Sequence, residues 1–270
     1  MIYWLSIAIR EEWGLKILVT NDDGINAEGL WALAKALKQV GEVVVVAPDR
    51  EQSATGSAVS LHQPVRLNKV EALCPGVKAY SVEGTPADSV ILAMKVLFEG
   101  ELGLVFSGIN KGMNLGDDVF LSGTVGGAKQ GCFQGLPAVA FSVEFGEETH
   151  FEATAKLAVL LARQLSARSL SSGILLNVNL PNLPVEEIRG VEITRLGKRR
   201  YSDLIKRGHD GKREYYWIGR GKARWRAEKG TDIWAIRNRK ASITPLRSDL
   251  TGDLNDLFLL DLADALSHAL

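Results

Sequence analysis

The chain has 270 residues, with 32 basic and 32 acidic side chains and 46% hydrophobic residues. That length buries a proper core, as one large α/β domain or one domain with an appendage, and a formal net charge of zero gives no basis for bulk attraction to nucleic acid or to an anionic membrane. Cys74 and Cys132 lie far apart without C-x-x-C spacing, and the four histidines are scattered. A disulfide framework and a zinc site are therefore not expected, and the cysteine usage suits the reducing cytoplasm.

MIYWLSIAIREEWGL (1–15) has a short apolar run but no basic start and no small-x-small cleavage site. It falls far short of the ~20 apolar residues of a membrane span. Leu15 stands where the first strand begins, and in bacteria a leucine codon can serve as a start. Residues 1–14 are thus read as an N-terminal extension outside the structured core, a genuine tail being the other reading.

Lys16 to Thr20 is a short apolar run, and Glu28 to Val40 carries Leu30, Leu33, Ala34 and Leu37 at helical period. EVVVVAPD (42–49) is apolar on both faces, as strands buried in a parallel sheet are. TPADSVILAMKVLFEG (85–100) predicts a helix with Thr85 as N-cap, Pro86 at its first position and Gly100 closing it. LGLVFSGIN (102–110) is a strand leading into a glycine-rich loop, and GTVGGAKQGCFQG (123–135) a helix with small residues in its first turns. PAVAFSV (137–143) is a strand, Phe151 to Leu165 an amphipathic helix, and GILLNVNLP (173–181) one more strand. This alternation means an α/β fold with a mostly parallel sheet covered on both faces.

From about Val191 the rhythm changes. EYYWIGRG (214–221) and TDIWAIRNRKASITPL (231–246) read as extended segments, and the Gly- and Arg-rich stretch between them as a loop or arm. DLNDLFLLDLADALSHAL (253–270) predicts a terminal helix with Leu257, Leu260 and Leu266 apolar. The expected organisation is a 1–14 extension, a 15–190 core, and a 191–270 arm and helix that serve oligomerisation or pack on their own chain. Two basic stretches, 195–207 and 220–229, read as solvated surface, or as a rim that attracts an anionic substrate.

Ligands of an open parallel sheet bind beyond the carboxyl ends of its strands. The first strand delivers Asn21, Asp22 and Asp23 there. The second delivers Asp49, Arg50, Ser53 and Thr55; the strand ending at Phe106 delivers Ser107, Asn110, Lys111 and Asn114. Two carboxylates, a hydroxyl and an amide oxygen suit Mg²⁺, Mn²⁺ or Ca²⁺ rather than zinc. A bound cation would also offset the repulsion between Asp22 and Asp23. A helix start followed by a turn at Gly24 explains the same pair without any metal; Asn110 also fits a turn, and Ser53 a solvated loop.

In SGTVGGAKQG (122–131), Ser122 or Thr124 would cap a helix whose N–H groups face that edge, and Gly123, Gly126 and Gly127 permit the close approach of an anion such as phosphate. Close packing of helix on sheet also explains those glycines. Neither a Walker A loop nor G-x-G-x-x-G is present. A hard cation beside a phosphate-sized anion site points to phosphoryl chemistry. Without a Ser-His-Asp, Cys-His or G-x-S-x-G arrangement, metal-activated water is favoured as the nucleophile, with Asp22 or Asp23 orienting or deprotonating it. Phe120 is either a base-stacking aromatic or a core residue.

ILVTNDDGINAEGL, VVVVAPDREQSATGSAVSL, VEGTPADSV, VFSGINKGMNLGDDVFLSGTVGGA and SITPLRSDLT together resemble the SurE family of phosphatases and 5′/3′-nucleotidases, in order from Lys16 to Thr251. The resemblance implies a Rossmann-like three-layer core holding one divalent metal ion per subunit, Mg²⁺ or Mn²⁺, through Asp22, Asp23, Ser53 and Asn110. It implies phosphate held by Ser122, Gly123 and Thr124, with Asn114 in the same loop contacting substrate. Nucleoside monophosphates are the implied substrates, with short polyphosphate besides, and C-terminal arms exchanged between subunits make dimers or tetramers. The 1–14 extension and the basic RNRKASITPL depart from the family pattern and leave the site motifs intact. Two other functions remain open: a non-catalytic nucleotide-binding module, and an interaction protein whose basic arm binds nucleic acid. No nucleic-acid motif supports the last. An aspartyl-phosphate phosphatase expects D-x-D, and here the aspartates are adjacent.

Overall fold

Valine, isoleucine and leucine occupy both faces of the first two strands, which places them where both faces are covered. In the computed structural model, which describes residues 14–167, 173–249 and 251, β1 (Lys16–Thr20) and β2 (Glu42–Pro48) are central and almost wholly buried. Ile17 and Val19 face one core and Leu18 the other. The first core is closed by α1 (Glu28–Leu37), through Leu30, Leu33, Ala34 and Leu37, and by α4 (Phe151–Ser166). The second is closed by α2 (Pro86–Leu92) and α3 (Gly123–Phe133). The result is the three-layer, Rossmann-like α/β sandwich.

The remaining strands of the main sheet are β3 (Leu67–Val70), β4 (Lys78–Val82), β5 (Leu102–Lys111), β6 (Ala138–Val143), β7 (Leu175–Leu180), β8 (Val191–Ile193) and β11 (Ala241–Leu246). Their order is β3-β4-β2-β1-β5-β6-β7-β11-β8. Only β3 against β4 and β11 against β7 are antiparallel. From β1 the chain first winds one way through β2 and β4, then returns to add β5, β6 and β7 on the other side. The switch point, where an open sheet of this kind leaves a crevice, lies between the carboxyl ends of β1 and β5.

Helix α2 begins as its sequence predicts. Thr85 Oγ1 accepts from Asp88 N at 3.1 Å and Asp88 Oδ2 accepts from Thr85 N at 2.9 Å, with Pro86 in the first position. Helix α3 lies hard against its neighbours because it is glycine-rich: a Cβ on Gly126 would stand 2.0 Å from the Gly56 carbonyl oxygen.

Beyond residue 190 the chain does not leave the main sheet altogether, since β8 and β11 both join it. Between them, β9 (Arg199–His209) and β10 (Glu214–Trp225) form a separate antiparallel hairpin. Its turn is closed by Asp210 Oδ1, which accepts from Lys212 N and Arg213 N at 2.8 Å each. Ile205, Tyr215, Tyr216, Trp217 and Ile218 of the hairpin are all exposed.

Two expectations are corrected in this region. TDIWAIR is not extended; residues Asp232–Arg237 form a short helix, α5, because Thr231 caps it by accepting from Trp234 N at 3.2 Å. The stretch 222–225, expected as part of a loop or arm, is the end of β10, and Ala223–Trp225 pair with the start of β9. The expected terminal helix at 253–270 and residues 1–13 lie outside the described residues. Among the described residues no helix is long and apolar enough to cross a membrane.

Candidate active site

The chain leaves β1 at Asn21 and turns at once. Gly24 takes φ +95°, and a Cβ there would come within 3.0 Å of the Arg50 backbone. An L-residue side chain is therefore excluded by both conformation and space. Asn21 Nδ2 donates to Gly24 O at 3.0 Å. The loop after β2 is tied to the same turn, because Gln52 N donates to Asp22 O at 2.7 Å.

Asp22 is 5% exposed, and α3 begins directly over it. Thr124 Oγ1 donates to Asp22 Oδ1. A Cβ on Gly123 would stand 2.7 Å from Asp22 Cβ and 2.9 Å from Asp22 Oδ2, so only glycine lets the helix start so close. Ser122, not Thr124, is the N-cap: its Oγ accepts from Val125 N at 3.1 Å. The three residues expected to hold phosphate thus divide the work. Ser122 starts the helix, Gly123 permits the approach and Thr124 fixes the carboxylate.

Neither Asp22 nor Asp23 forms an ion pair among the described residues. Burial raises the Asp22 carboxyl above its ordinary range, against the pull of the Thr124 hydrogen bond. Asp23 is pushed up to about 7, first by burial and then by the adjacent Asp22 charge, with Glu51 adding to it and the Lys111 backbone N–H and ammonium opposing it. Lys111 is itself paired with Glu28 at 2.8 Å.

Ser53 is exposed in the loop joined to Asp22, and its Oγ donates to Glu51 Oε1 at 2.5 Å, which leaves the oxygen's lone pairs available. Asn110 sits at the carboxyl end of β5 with Nδ2 given to Gly112 O at 2.6 Å, which leaves Oδ1 available to a cation. Asn114 is placed differently. Its Nδ2 donates to Ser142 Oγ at 3.0 Å, its N to Asn179 Oδ1 at 2.8 Å, and its O accepts from Asn177 Nδ2 at 2.8 Å. Asn114 is thus held to the sheet through its backbone and Nδ2, with Oδ1 given no hydrogen bond among the described residues. Phe120 is exposed beside the site and so is not a core residue.

The donor set fits a hard cation. All candidate ligand atoms are oxygens, and among the described residues no group of three or more His, Cys, Asp or Glu side chains gathers as a softer or more acidic centre would require. Two carboxylates with raised proton affinity and no protein cation paired to them are the strongest internal sign. Nearby, Asn21 Oδ1 and Asp49 Oδ1 are buried without a hydrogen-bond partner.

Residues 17–203 match the family model described as survival protein SurE. The chain belongs to the SurE family. The chain is 45% identical over 238 residues to a protein of Dehalococcoides mccartyi strain CBDB1 named 5′-nucleotidase SurE, covering 87% of this chain and 90% of that one. It is 48% identical over 236 residues to the 5′-nucleotidase SurE of Moorella thermoacetica, covering 87% and 91%. Among solved structures, the SurE protein from Aquifex aeolicus matches at 39% identity with a TM-score of 0.77, over 93% of this chain and 99% of that one.

With the SurE relationship in view, the residues that sequence reasoning passed over become informative. Glu51 adds a third negative charge beside the aspartates, and Lys111 a positive one. Asn177 and Asn179 alternate on one face of β7, a period-two polar pattern on a buried strand that was readable in NVNLP. Asp118 and Asp232, buried under the loop that leads to α3, gave no local signal beyond Thr231 preceding Asp232 as a cap.

Proposed function

We propose that this SurE-family chain is a metal-dependent nucleotidase that hydrolyses nucleoside 5′- and 3′-monophosphates, and short polyphosphate besides, by attack of water on phosphorus. One observation carries the reading: a buried, mutually repelling aspartate pair lies directly beneath the first turn of a glycine-opened helix. Asp22, Asp23, the Ser53 hydroxyl and the Asn110 amide oxygen would hold one Mg²⁺ or Mn²⁺ per subunit. When bound, that ion polarises a phosphoryl oxygen and makes a water molecule more acidic.

The chain's own groups do the rest. Thr124 fixes the orientation of Asp22. Asp22 or Asp23, beside that ion, would orient the attacking water or take its proton. Ser122, Gly123 and Thr124 present the positive end of α3 to the phosphate, which a helix N-terminus favours. Asn114 would contact substrate through Oδ1, since its Nδ2 is given to Ser142 and its backbone groups are held by Asn177 and Asn179. Among the described residues no serine or cysteine of the site is paired with a histidine, and attack by water is the favoured step.

We place subunit contact on the β9–β10 hairpin, whose exposed Tyr215, Tyr216, Trp217 and Ile218 suit a dimer or tetramer interface. A cytoplasmic setting suits the two free, buried cysteines. We retain the division into a 15–190 core and a 191–270 oligomerisation region as a functional one, with residues 1–14 an extension outside the core.

The test is phosphate release from a panel of nucleoside 5′- and 3′-monophosphates with Mg²⁺, Mn²⁺ or chelator. Release that vanishes in chelator supports the proposal. No release with any metal leaves a non-catalytic nucleotide-binding module.

A further inference from the structure

The loop from Gly112 to Ser122 carries the chain from the end of β5 to the start of α3, and it is held from outside the nucleotide-binding edge. Asp232, fully buried at the start of α5, accepts from Gly116 N through Oδ2 and from Gly197 N through Oδ1, both at 2.8 Å. Oδ1 also accepts from Ile233 N at 2.7 Å. Gly116 and Gly197 meet almost backbone to backbone: a Cβ on Gly116, at φ +55°, would stand 2.5 Å from Gly197 O. One carboxylate therefore fastens the loop to the root of the hairpin.

Two residues further along, Asp118 continues the connection. Its backbone oxygen accepts from Ser122 N at 3.0 Å and from Leu121 N at 3.0 Å. Its side chain accepts from Arg199 Nη1 at 2.9 Å, and both partners are largely buried. Arg199 lies over the Trp225 ring, 5.1 Å from its centre. Leu115, Ile233 and Ile236 make a small apolar core that closes the junction. The path from Asp232 to Gly116, Asp118 and Ser122 is short, continuous and hydrogen-bonded.

We propose that Asp232 is a positioning residue for phosphate binding, acting through the Gly116–Ser122 loop to set the start of α3 over Asp22. The proposal rests on the nucleotidase reading. Its basis is the number of backbone donors gathered by one buried side chain. A buried carboxylate with three N–H partners is a fixed point, and the loop it fixes bears the cap of the phosphate-facing helix. Both carboxylate oxygens of Asp232 accept from backbone N–H groups, so its proposed part is positioning and not metal binding.

Asp232→Asn keeps the volume but turns one acceptor atom into a donor that faces a backbone N–H, so one of the two fastenings is lost. In full-length protein of unchanged circular dichroism, the Michaelis constant for nucleoside monophosphate should rise about tenfold or more, and inhibition by inorganic phosphate should weaken by a similar factor. Mn²⁺ affinity, read by calorimetry without substrate, should stay within about twofold. A purely structural role would lower melting temperature and all affinities together, and that result overturns the proposal. So does a folded variant with unchanged phosphate inhibition.

If Asp232→Asn does not fold, Arg199→Gln and Arg199→Lys interrupt and retain the charge on Asp118. Weakened phosphate inhibition in the first, restored in the second, supports the same path; equal behaviour of both overturns it. If instead the wild-type protein binds phosphate and metal but turns nothing over, the nucleotidase reading fails while the phosphate-inhibition comparison becomes a direct phosphate-binding measurement and still decides the role of Asp232.

Discussion

Two sets of aspartates in this fold meet opposite fates. Asp232 is fully buried, and burial pushes its proton affinity up, yet backbone donors at Gly116, Gly197 and Ile233 pull it back. Asp22 is buried and Asp23 half-buried beside it, with fewer donors, and the Asp22 charge raises the proton affinity of Asp23. The first arrangement is complete within the protein and fixes structure. The second has fewer such partners, and in the proposed reading a divalent cation would complete it. Whether a buried carboxylate is structural or functional is decided here by what surrounds it, not by its depth.

The comparison breaks first at Asp23. Asp23→Asn should lower turnover by about a thousandfold or more at saturating Mg²⁺ or Mn²⁺, because a ligand and a proton acceptor are lost together. The metal-free variant should nonetheless melt no lower than metal-free wild type at pH 8, since one of two repelling charges is gone. Turnover within tenfold of wild type would remove Asp23 from the site.

Gly123→Ala comes next. Its Cβ would collide with Asp22, at 2.7 Å from that residue's Cβ, and the displaced helix should cost roughly a hundredfold in kcat/KM. Steady-state kinetics at fixed metal would show it, and unchanged kinetics would mean that α3 does not govern the site.

The pH dependence of metal binding sharpens the contrast between the two sets. The Asp23 carboxyl is raised from 3.8 to about 7 in the metal-free fold. A group raised on folding adds stability below its unfolded value and loses it as pH climbs through the folded value. Metal-free protein should therefore melt higher at pH 5 than at pH 8, and metal should restore more at pH 8. Below about pH 7 the proton competes with the ion, so affinity should fall up to about tenfold per pH unit. Calorimetry from pH 8 to pH 5 measures it, and a flat profile would contradict the assignment.

The smallest effect is expected at Ser122. Ser122→Ala removes the N-cap bond to Val125 N and should cost about 1 kcal/mol of stability. The Michaelis constant for nucleotide should rise more than the metal dissociation constant. If both are unchanged, Ser122 serves only the helix.

Most of this architecture was legible because local and global signals agree. Two-faced apolar strands, the Thr85–Pro86 helix start and oxygen-bearing residues at strand ends all report the doubly covered sheet and its edge. Where reading failed, the deciding partner was distant in sequence. Residues 223–225 are a strand because residues 199–201 lie beside them. Ile233, Trp234 and Ile236 favour extended backbone, and the Thr231 cap overrules them within a helix of six residues. Asn177 and Asn179, more than sixty residues on, hold the Asn114 backbone, a support that no local pattern around Asn114 announces.

The most direct test of the central claim is Mn²⁺ binding to the metal-free protein at pH 8, by calorimetry, for wild type beside Asp23→Asn. The account predicts one ion per chain for wild type and an affinity at least about a hundredfold weaker for the variant. Equal affinity in the two proteins would contradict it, and would return the aspartate pair to a turn that merely starts a helix.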